Sequence, residues 1–390
     1  MEQIKILQIG LSYNPGGIES FVMNYDKRLK DEDICFDFIN IFDHIAYEDE
    51  IKKLGGRIYQ VSNIKKSPKG YTHELASILA YESGNHYAAV HVNMLSAANL
   101  IPLFVASKEN ERRRAAGVKE LHIIAHSHNS NTPSLIKKIL HKMNRKKVLR
   151  LATDYWACSK MAADWLFGEN NTESNIHIVN NAIHASRYQF REAYRREIRE
   201  EFGFAKEDLV LLHVGRMDAQ KNHTILLEIF EQVRKLSAHR KVHLLMVGEG
   251  DLEDALKEQA KVTGIIDDVY FCGIREDVNK FYSAGDIFVF PSLYEGLSLT
   301  MVEAQASGIP IIASTSMDED SFFTDNCRRM PLSAPLESWG RLILQLEEQF
   351  RGKRLEADND NRANILRAAG FDIKVEEKKL AKMYRAMEEA

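Results

Sequence analysis

The sequence predicts an α/β protein of two doubly wound domains, each a parallel sheet flanked by helices, and three observations predict it. The chain has 390 residues, too many for one ordinary core and enough for two domains of roughly 150–200 residues each. Short β-rich runs alternate with longer helical patterns through both halves, which is the pattern of parallel strands joined by crossover helices. The first strand of each half also ends in glycine, at Gly10 and at Gly215, where a doubly wound sheet places its ligands. The expectation is therefore two Rossmann-like domains facing across a cleft.

The elements follow in order. Strands are predicted at 4–9, 36–39, 89–92 and 122–125 in the first half and at 209–214, 243–247, 287–290 and 311–313 in the second. The stretch from Ser83 to Ser107 lacks Asp, Glu, Lys and Arg, but its Asn, His and Pro residues interrupt it too often for a lipid-facing helix. It reads as a buried strand followed by a helix. Residues 185–206 are strongly charged and helical in pattern, so the boundary is set near Arg187: residues 1–186 form one domain and 187–371 the other. The tail, 372–390, is amphipathic through Ile373, Leu380, Met383, Tyr384 and Met387, and is expected to pack back on the first domain.

Composition narrows the class. The apolar fraction of 45% and charged fraction of 28% exclude disordered and fibrous chains. Cys35, Cys158, Cys272 and Cys327 are far apart with no C-x-x-C pair, which favours a reduced, cytoplasmic setting over a disulfide scaffold. MEQIKILQIG reads as a first strand, not a signal peptide.

The most informative segment is DIFVFPSLYEGLSLTMVEAQASGIPIIAST, residues 286–315. An apolar strand is followed by a turn from Pro291 to Gly296 and a short helix from about Ser298–Thr300 to Gly308, a glycine suited to the position after a helix, with Pro310 beyond. Glu295 sits in the loop above the strand and Glu303 about one turn into the helix. Backbone N–H groups at that helix start suit a diphosphate or an oxygen gaining negative charge, and the two carboxylates suit hydroxyl-rich groups such as sugars and riboses. Two simpler readings stay open: Thr300-x-x-Glu303 also matches a capping box, and Glu295 alone also reads as a solvated loop acid. Upstream, Arg216 and Lys221 leave a strand end before a helix, where a forked guanidinium and a point charge can meet phosphate oxygens.

Together, VGR (214–216), QKN (220–222), VGEGD (247–251), PSLYEGLSL (291–299) and EAQASGIPIIAS (303–314) resemble the retaining glycosyltransferases of family 4, which have the GT-B fold of two Rossmann-like domains. NPGGIE (14–19), IAHS (124–127), ACS (157–159) and VNNAI (179–183) extend the resemblance over nearly the whole chain. It implies transfer of a sugar from a nucleotide diphosphate donor, a UDP-sugar first of all, to a saccharide or lipid-linked saccharide acceptor in surface polysaccharide synthesis. Glu295 resembles the first acid of the family's E-x7-E motif, facing the donor sugar, and Glu303 the second, holding the ribose. Arg216 and Lys221 resemble the diphosphate clamp. The amides of Gly296, Leu297, Ser298 and Leu299 are expected at the phosphates or sugar, and the backbone of Gly273, Ile274 and Arg275 at the base. Gly17 resembles the loop glycine that closes over the donor. His126 lines up with the histidine that the family keeps near the donor sugar, with His128 as the reserve. Ala182 and His184 depart from the family's N-G-I-D-like interdomain stretch.

Metal is not expected. His126-Ser127-His128 has no third ligand nearby in sequence. Of the D-x-D triplets at Asp31, Asp318 and Asp358, one follows a strand end, and Arg216 with Lys221 already supplies positive charge. Residues 137–150, KKILHKMNRKKVLR, hold seven Lys or Arg and no acid, interleaved with apolar residues, a segment suited either to an anionic membrane at the inner face or to a solvated helix face. Nucleic acid is not expected, because the chain carries a net charge of −4 and no interleaved aromatic platform. A GT-B nucleotide-sugar epimerase and a non-catalytic partner subunit are the rival readings.

Overall fold

The computed structural model describes residues 3–132, 134–169, 175–237, 239–295, 298–317, 319–356 and 359–389. The chain divides into two compact units, Met1–Ala182 with Ile373–Ala390, and Ile183–Asp372.

Among the described residues the first unit has seven parallel strands: β1 (Ile4–Ile9), β2 (Ile34–Asn40), β3 (Ile58–Gln60), β4 (Tyr87–Met94), β5 (His122–Ser127), β6 (Asp154–Ala157) and β7 (Ile176–Ile178). Their order is β3-β2-β1-β4-β5-β6-β7, so the winding reverses between β1 and β4. β4 is buried along its whole length, as expected of a central parallel strand covered on both faces. Gly10 follows β1 with φ of 113°, and a Cβ there would stand 2.4 Å from the carbonyl oxygen of Asn93 on β4. Only glycine lets the two strand ends stay this close.

Phe21, Tyr25, Phe36, Phe38 and Trp156 form the centre of this unit's core. The helix Ile373–Glu389 lies against it, because Ile373, Leu380, Ala381, Tyr384 and Met387 fall on one helical stripe and all are buried. Burial of each large apolar side chain contributes roughly 1.5–3 kcal/mol. Tyr384 also places its hydroxyl 2.8 Å from His91 Nδ1.

The second unit has, among its described residues, six parallel strands: β8 (Leu209–Val214), β9 (Val242–Val247), β10 (Val269–Phe271), β11 (Ile287–Phe290), β12 (Ile311–Ser314) and β13 (Cys327–Met330). Their order is β10-β9-β8-β11-β12-β13, and the winding reverses between β8 and β11. Leu211, Phe230, Leu244, Met246, Val289 and Trp339 fill the core between this sheet and its helices.

The change of unit falls at Ala182/Ile183, a few residues before the boundary expected near Arg187. The charged stretch after it is not a linker. The helix Glu192–Glu201 is docked through Arg195 and Arg199, whose guanidinium groups meet the two oxygens of Asp286 at 2.7 and 2.6 Å. Arg199 is buried and donates also to the carbonyls of Ala284 and Asp208, so burial of its charge is answered on several sides.

Candidate active site

The site-forming loops of the second unit sit beyond the carboxyl ends of β8, β9 and β11, at the reversal of strand order where ligands of open α/β sheets bind. Two glycines of the 247–251 stretch are there for close approach. A Cβ on Gly248 would lie 2.3 Å from the carbonyl oxygen of Gly215, and one on Gly250 2.4 Å from that of Met217. The β9 loop thus lies directly on the β8 loop, and any side chain at either position forces them apart.

The run Gln220-Lys221-Asn222 ties the β8 loop to the loop after β11. Asn222 starts the helix His223–Leu236 with φ of 57°, a conformation that asparagine tolerates better than most residues. Its side-chain amide donates to the carbonyl of Pro291 at 3.1 Å. Gln220 accepts from the Leu293 amide through its backbone carbonyl at 2.9 Å and donates from its side chain to the Tyr294 carbonyl at 3.1 Å. From β12, Ser314 Oγ donates to the Ser292 carbonyl at 2.6 Å. Four hydrogen bonds from two elements therefore fix residues 291–294, and Glu295 comes next in the chain.

Glu295 is not a solvated loop acid. Its Oε1 lies 2.7 Å from Lys221 Nζ, with the side chains only 8% and 14% exposed. The ammonium also sits 4.7 Å above the centre of the Phe290 ring, a cation–π contact on the last residue of β11. The helix Leu299–Ser307 begins a few residues further on. Ser298 precedes it in extended conformation, and its Oγ contacts Thr300 Oγ1 at 2.9 Å instead of capping a backbone amide. The start of this helix therefore presents amides and partial positive charge beside the Lys221–Glu295 pair. Ser298 and Leu299 are buried there. Arg216 is exposed at the end of the β8 strand loop. Gly296 and Leu297 lie outside the described residues, as does Asp318.

Glu303 is held by tyrosines and not by a capping box. Tyr188 OH donates to its Oε1 and Tyr282 OH to its Oε2, both at 2.8 Å. Burial raises its pKa, and the two hydroxyls oppose that shift by stabilising the carboxylate. Each carboxylate oxygen has further acceptor capacity, so the group can take additional hydroxyls. Gly308 closes the helix at φ of 69°.

Gly273 follows β10 with φ of 64° and accepts from the Gly248 amide at 2.8 Å. Ile274 beside it is 58% exposed. The Arg275 side chain is committed elsewhere: it pairs with Asp277 and Glu201 at 2.8 Å each, and these carboxylates raise its pKa. What this stretch can offer a ligand is backbone and the Ile274 side chain.

In the first unit, Gly17 opens the helix Gly17–Leu29, and a Cβ on it would meet nothing within 4 Å. Packing does not demand glycine there. His126 is completely buried. Its Nδ1 lies 2.9 Å from His91 Nε2, and Phe21 and Trp156 close over its ring edge-on. Burial holds the pKa of both His91 and His126 well below the usual range. The expectation placed His126 at the reacting sugar; its Nδ1 is taken by His91, while its Nε2 is buried with no hydrogen-bond partner among the described residues. His128, two residues on and just past the end of β5, is partly exposed. It contacts Asn93 Oδ1 at 2.8 Å through Nε2, and burial pushes its pKa down to about 3. Next to the ends of β2 and β3 lies an open cleft of about 480 Å³ lined by Tyr13, Phe42, Asp43, His44, Gln60 and Asn63, among others. The Tyr13 and Phe42 rings meet edge-on at 5.3 Å.

The family pattern described as glycosyl transferases group 1 matches residues 194–329, which hold every one of these second-unit loops. EpsF of Bacillus subtilis (strain 168), named as a glycosyltransferase, is 31% identical over 364 residues, 90% of each chain. The chain belongs to the group 1 glycosyltransferases. This glycosyltransferase shares its GT-B fold with Anabaena HepE in complex with UDP-glucose, at a TM-score of 0.76 and 18% identity over 98% of this chain and 100% of the other. A shorter match joins it to the UDP-Gal:alpha-D-GlcNAc-diphosphoundecaprenol alpha-1,3-galactosyltransferase of Escherichia coli, 31% identical over 113 residues, 29% of each chain.

Several residues that shape the candidate site of this glycosyltransferase were not legible in the sequence. Gln220 and Asn222 stood in a quoted motif without a role, although two amide side chains flanking a lysine before a helix are a usable signal for a pinned loop. Tyr188 and Tyr282 had none, since their meeting with Glu303 joins positions 115 and 21 residues apart. Among the described residues no group of His, Cys, Asp or Glu could hold a metal ion.

Proposed function

We propose that this glycosyltransferase moves a sugar, with retention of anomeric configuration, from a UDP-sugar to a saccharide or lipid-linked saccharide acceptor in the assembly of a surface polysaccharide. The observation that carries the reading is the buried Lys221–Glu295 pair beside an uncapped helix start. Similarity to HepE, solved with UDP-glucose, and to a galactosyltransferase whose name specifies a UDP-sugar donor and a lipid-linked acceptor supports the donor and acceptor classes.

In this reading the bond between the anomeric carbon and the diphosphate oxygen breaks with its electron pair on the phosphate. Lys221, Arg216 and the first amides of the helix Leu299–Ser307 stabilise the charge that develops there. The acceptor hydroxyl forms the new bond on the face the phosphate leaves, and its proton passes to the departing phosphate oxygen. Glu295 positions Lys221 and faces the sugar, Glu303 receives the ribose hydroxyls, and the backbone of Gly273 and Ile274 meets the base. Two protein cations take the role that a metal has in other transferases, so transfer proceeds in a chelator. In the first unit, His126, or His128 as the reserve, takes the role that the family resemblance implies, and the acceptor sugar stacks on Tyr13 in the cleft it lines.

The test is a panel of nucleotide sugars examined by calorimetry and by slow hydrolysis in the presence of EDTA, followed by NMR of the glycoside formed. Saturable binding of a UDP-sugar, chelator-resistant turnover and a retained anomer are expected. Absence of binding to every nucleotide sugar, or an inverted product, overturns the reading.

A further inference from the structure

We infer that the helix Leu135–Leu151 of the first unit is a membrane-docking element whose amino-terminal turns enter the headgroup region of an anionic bilayer. The inference stands on this helix alone and does not depend on the proposed donor or acceptor.

The helix is fixed to its unit by one side. His141 is buried, stacked on Trp165 at 3.8 Å, and bonded through its two ring nitrogens to the Trp165 carbonyl and the Ala97 amide at 3.0 Å each. Val148, two turns later on the same face, is completely buried. The opposite face carries Leu135, Ile136, Ile139, Leu140 and Met143, spaced by one, three or four residues so that they form one stripe. They are 71%, 72%, 52%, 39% and 68% exposed. Five large apolar side chains on consecutive turns, each exposed by more than a third of its surface, form a contiguous apolar patch and not scattered surface residues.

Charge decides what covers the patch. At 100° per residue, Lys146, Lys147 and Arg150 continue the same face toward the carboxyl end of the helix, with Lys138 and Lys142 on its flank. No Asp or Glu occurs between Glu120 and Asp154. A second copy packed here brings cations against cations with no acid on the helix to answer them. A nucleic acid gains nothing from aliphatic tips, and no Phe, Tyr or Trp lies between Leu121 and Thr153 for base stacking. Anionic lipid satisfies both halves: aliphatic tips pass below the headgroups while lysines and arginines stay among the phosphates.

The test uses the full chain and vesicles of phosphatidylcholine with or without phosphatidylglycerol. Co-sedimentation is expected with the anionic vesicles, at least tenfold weaker without phosphatidylglycerol, and weakened by 0.5 M salt. Ile136→Ser/Ile139→Ser/Met143→Ser and Lys146→Glu/Lys147→Glu/Arg150→Glu are each expected to lower binding at least tenfold while leaving the thermal midpoint unchanged, because these side chains touch solvent. Ile139→Trp, with brominated lipid as quencher, reads insertion directly and is expected to lose most of the added fluorescence. Failure of the wild-type chain to bind anionic vesicles, or unchanged binding by the apolar triple variant, overturns the inference. So does self-association that the apolar triple variant abolishes in the absence of vesicle binding, which would make the stripe a contact between copies.

Discussion

Replacing Lys221 by methionine removes the ammonium but keeps most of the apolar stem against Phe290. Glu295 then loses the cation 2.7 Å away while remaining 92% enclosed, given its 8% side-chain exposure. Breaking a buried pair from one side costs about 3–5 kcal/mol, because the remaining charge has been taken out of water. Removing both charges with similar volumes, Lys221→Met/Glu295→Leu, is expected to return stability to within about 1–2 kcal/mol of the parent, since a buried pair and a well-packed apolar pair are often near parity. Activity follows a different course. If the ammonium stabilises a departing phosphate, its loss costs about 10²–10³-fold in kcat, the magnitude seen when one pre-set donor is removed from a developing charge. The double variant therefore recovers its urea midpoint but not its turnover. Urea unfolding followed by circular dichroism gives the first quantity, and nucleotide-sugar hydrolysis or transfer the second. A double variant that regains both, with turnover within a few-fold of the parent, would show the pair to be structural and refute the catalytic assignment.

Three further outcomes are expected. Gln220→Ala and Asn222→Ala each release a hydrogen bond on residues 291–294; a stability loss of about 1 kcal/mol apiece should accompany a larger fall in kcat than in the affinity for UDP, measured by calorimetry. Gly250→Ala, with its Cβ 2.4 Å from the Met217 carbonyl, should lower the thermal midpoint by several degrees and weaken nucleotide binding, whereas Gly55→Ala, open on all sides but left-handed at φ of 92°, should cost only about 1 kcal/mol of backbone strain. The chain should also lose stability as pH falls from 7 to 5. Unfolded histidine takes up a proton near 6.5, while folded His128 stays neutral until about 3, so the unfolded state binds more protons. The stabilising difference is full above 6.5 and shrinks by about 2 kcal/mol per such histidine between pH 7 and 5. His91 and His126, depressed in the same direction, steepen the loss, and a urea midpoint independent of pH over this range would contradict it.

Much of the fold was legible because parallel strands buried on both faces must be apolar runs, and β8, β9 and β11 are just such runs. The end of the helix Leu299–Ser307 was legible from Gly308 and Pro310, which act through local backbone geometry. Local rules failed where a side chain answers to distant ones. Thr300 and Glu303 have capping-box spacing, yet Tyr188 and Tyr282 claim the carboxylate. His126 and His128 differ by two residues, and nothing in that spacing says that His91 meets the ring of the first and Asn93 that of the second.

Two doubly wound units, the family resemblance and the loops proposed to hold the donor were readable along the chain, because periodicity, glycine placement and motif spacing are properties of neighbouring positions. Only the folded chain shows that Glu295 is a buried partner of Lys221, that Gln220 and Asn222 hold the loop before it, and that the stripe from Leu135 to Met143 stays exposed. Burial and pairing are set by which segments the fold brings together across the chain, and a linear pattern does not contain that information.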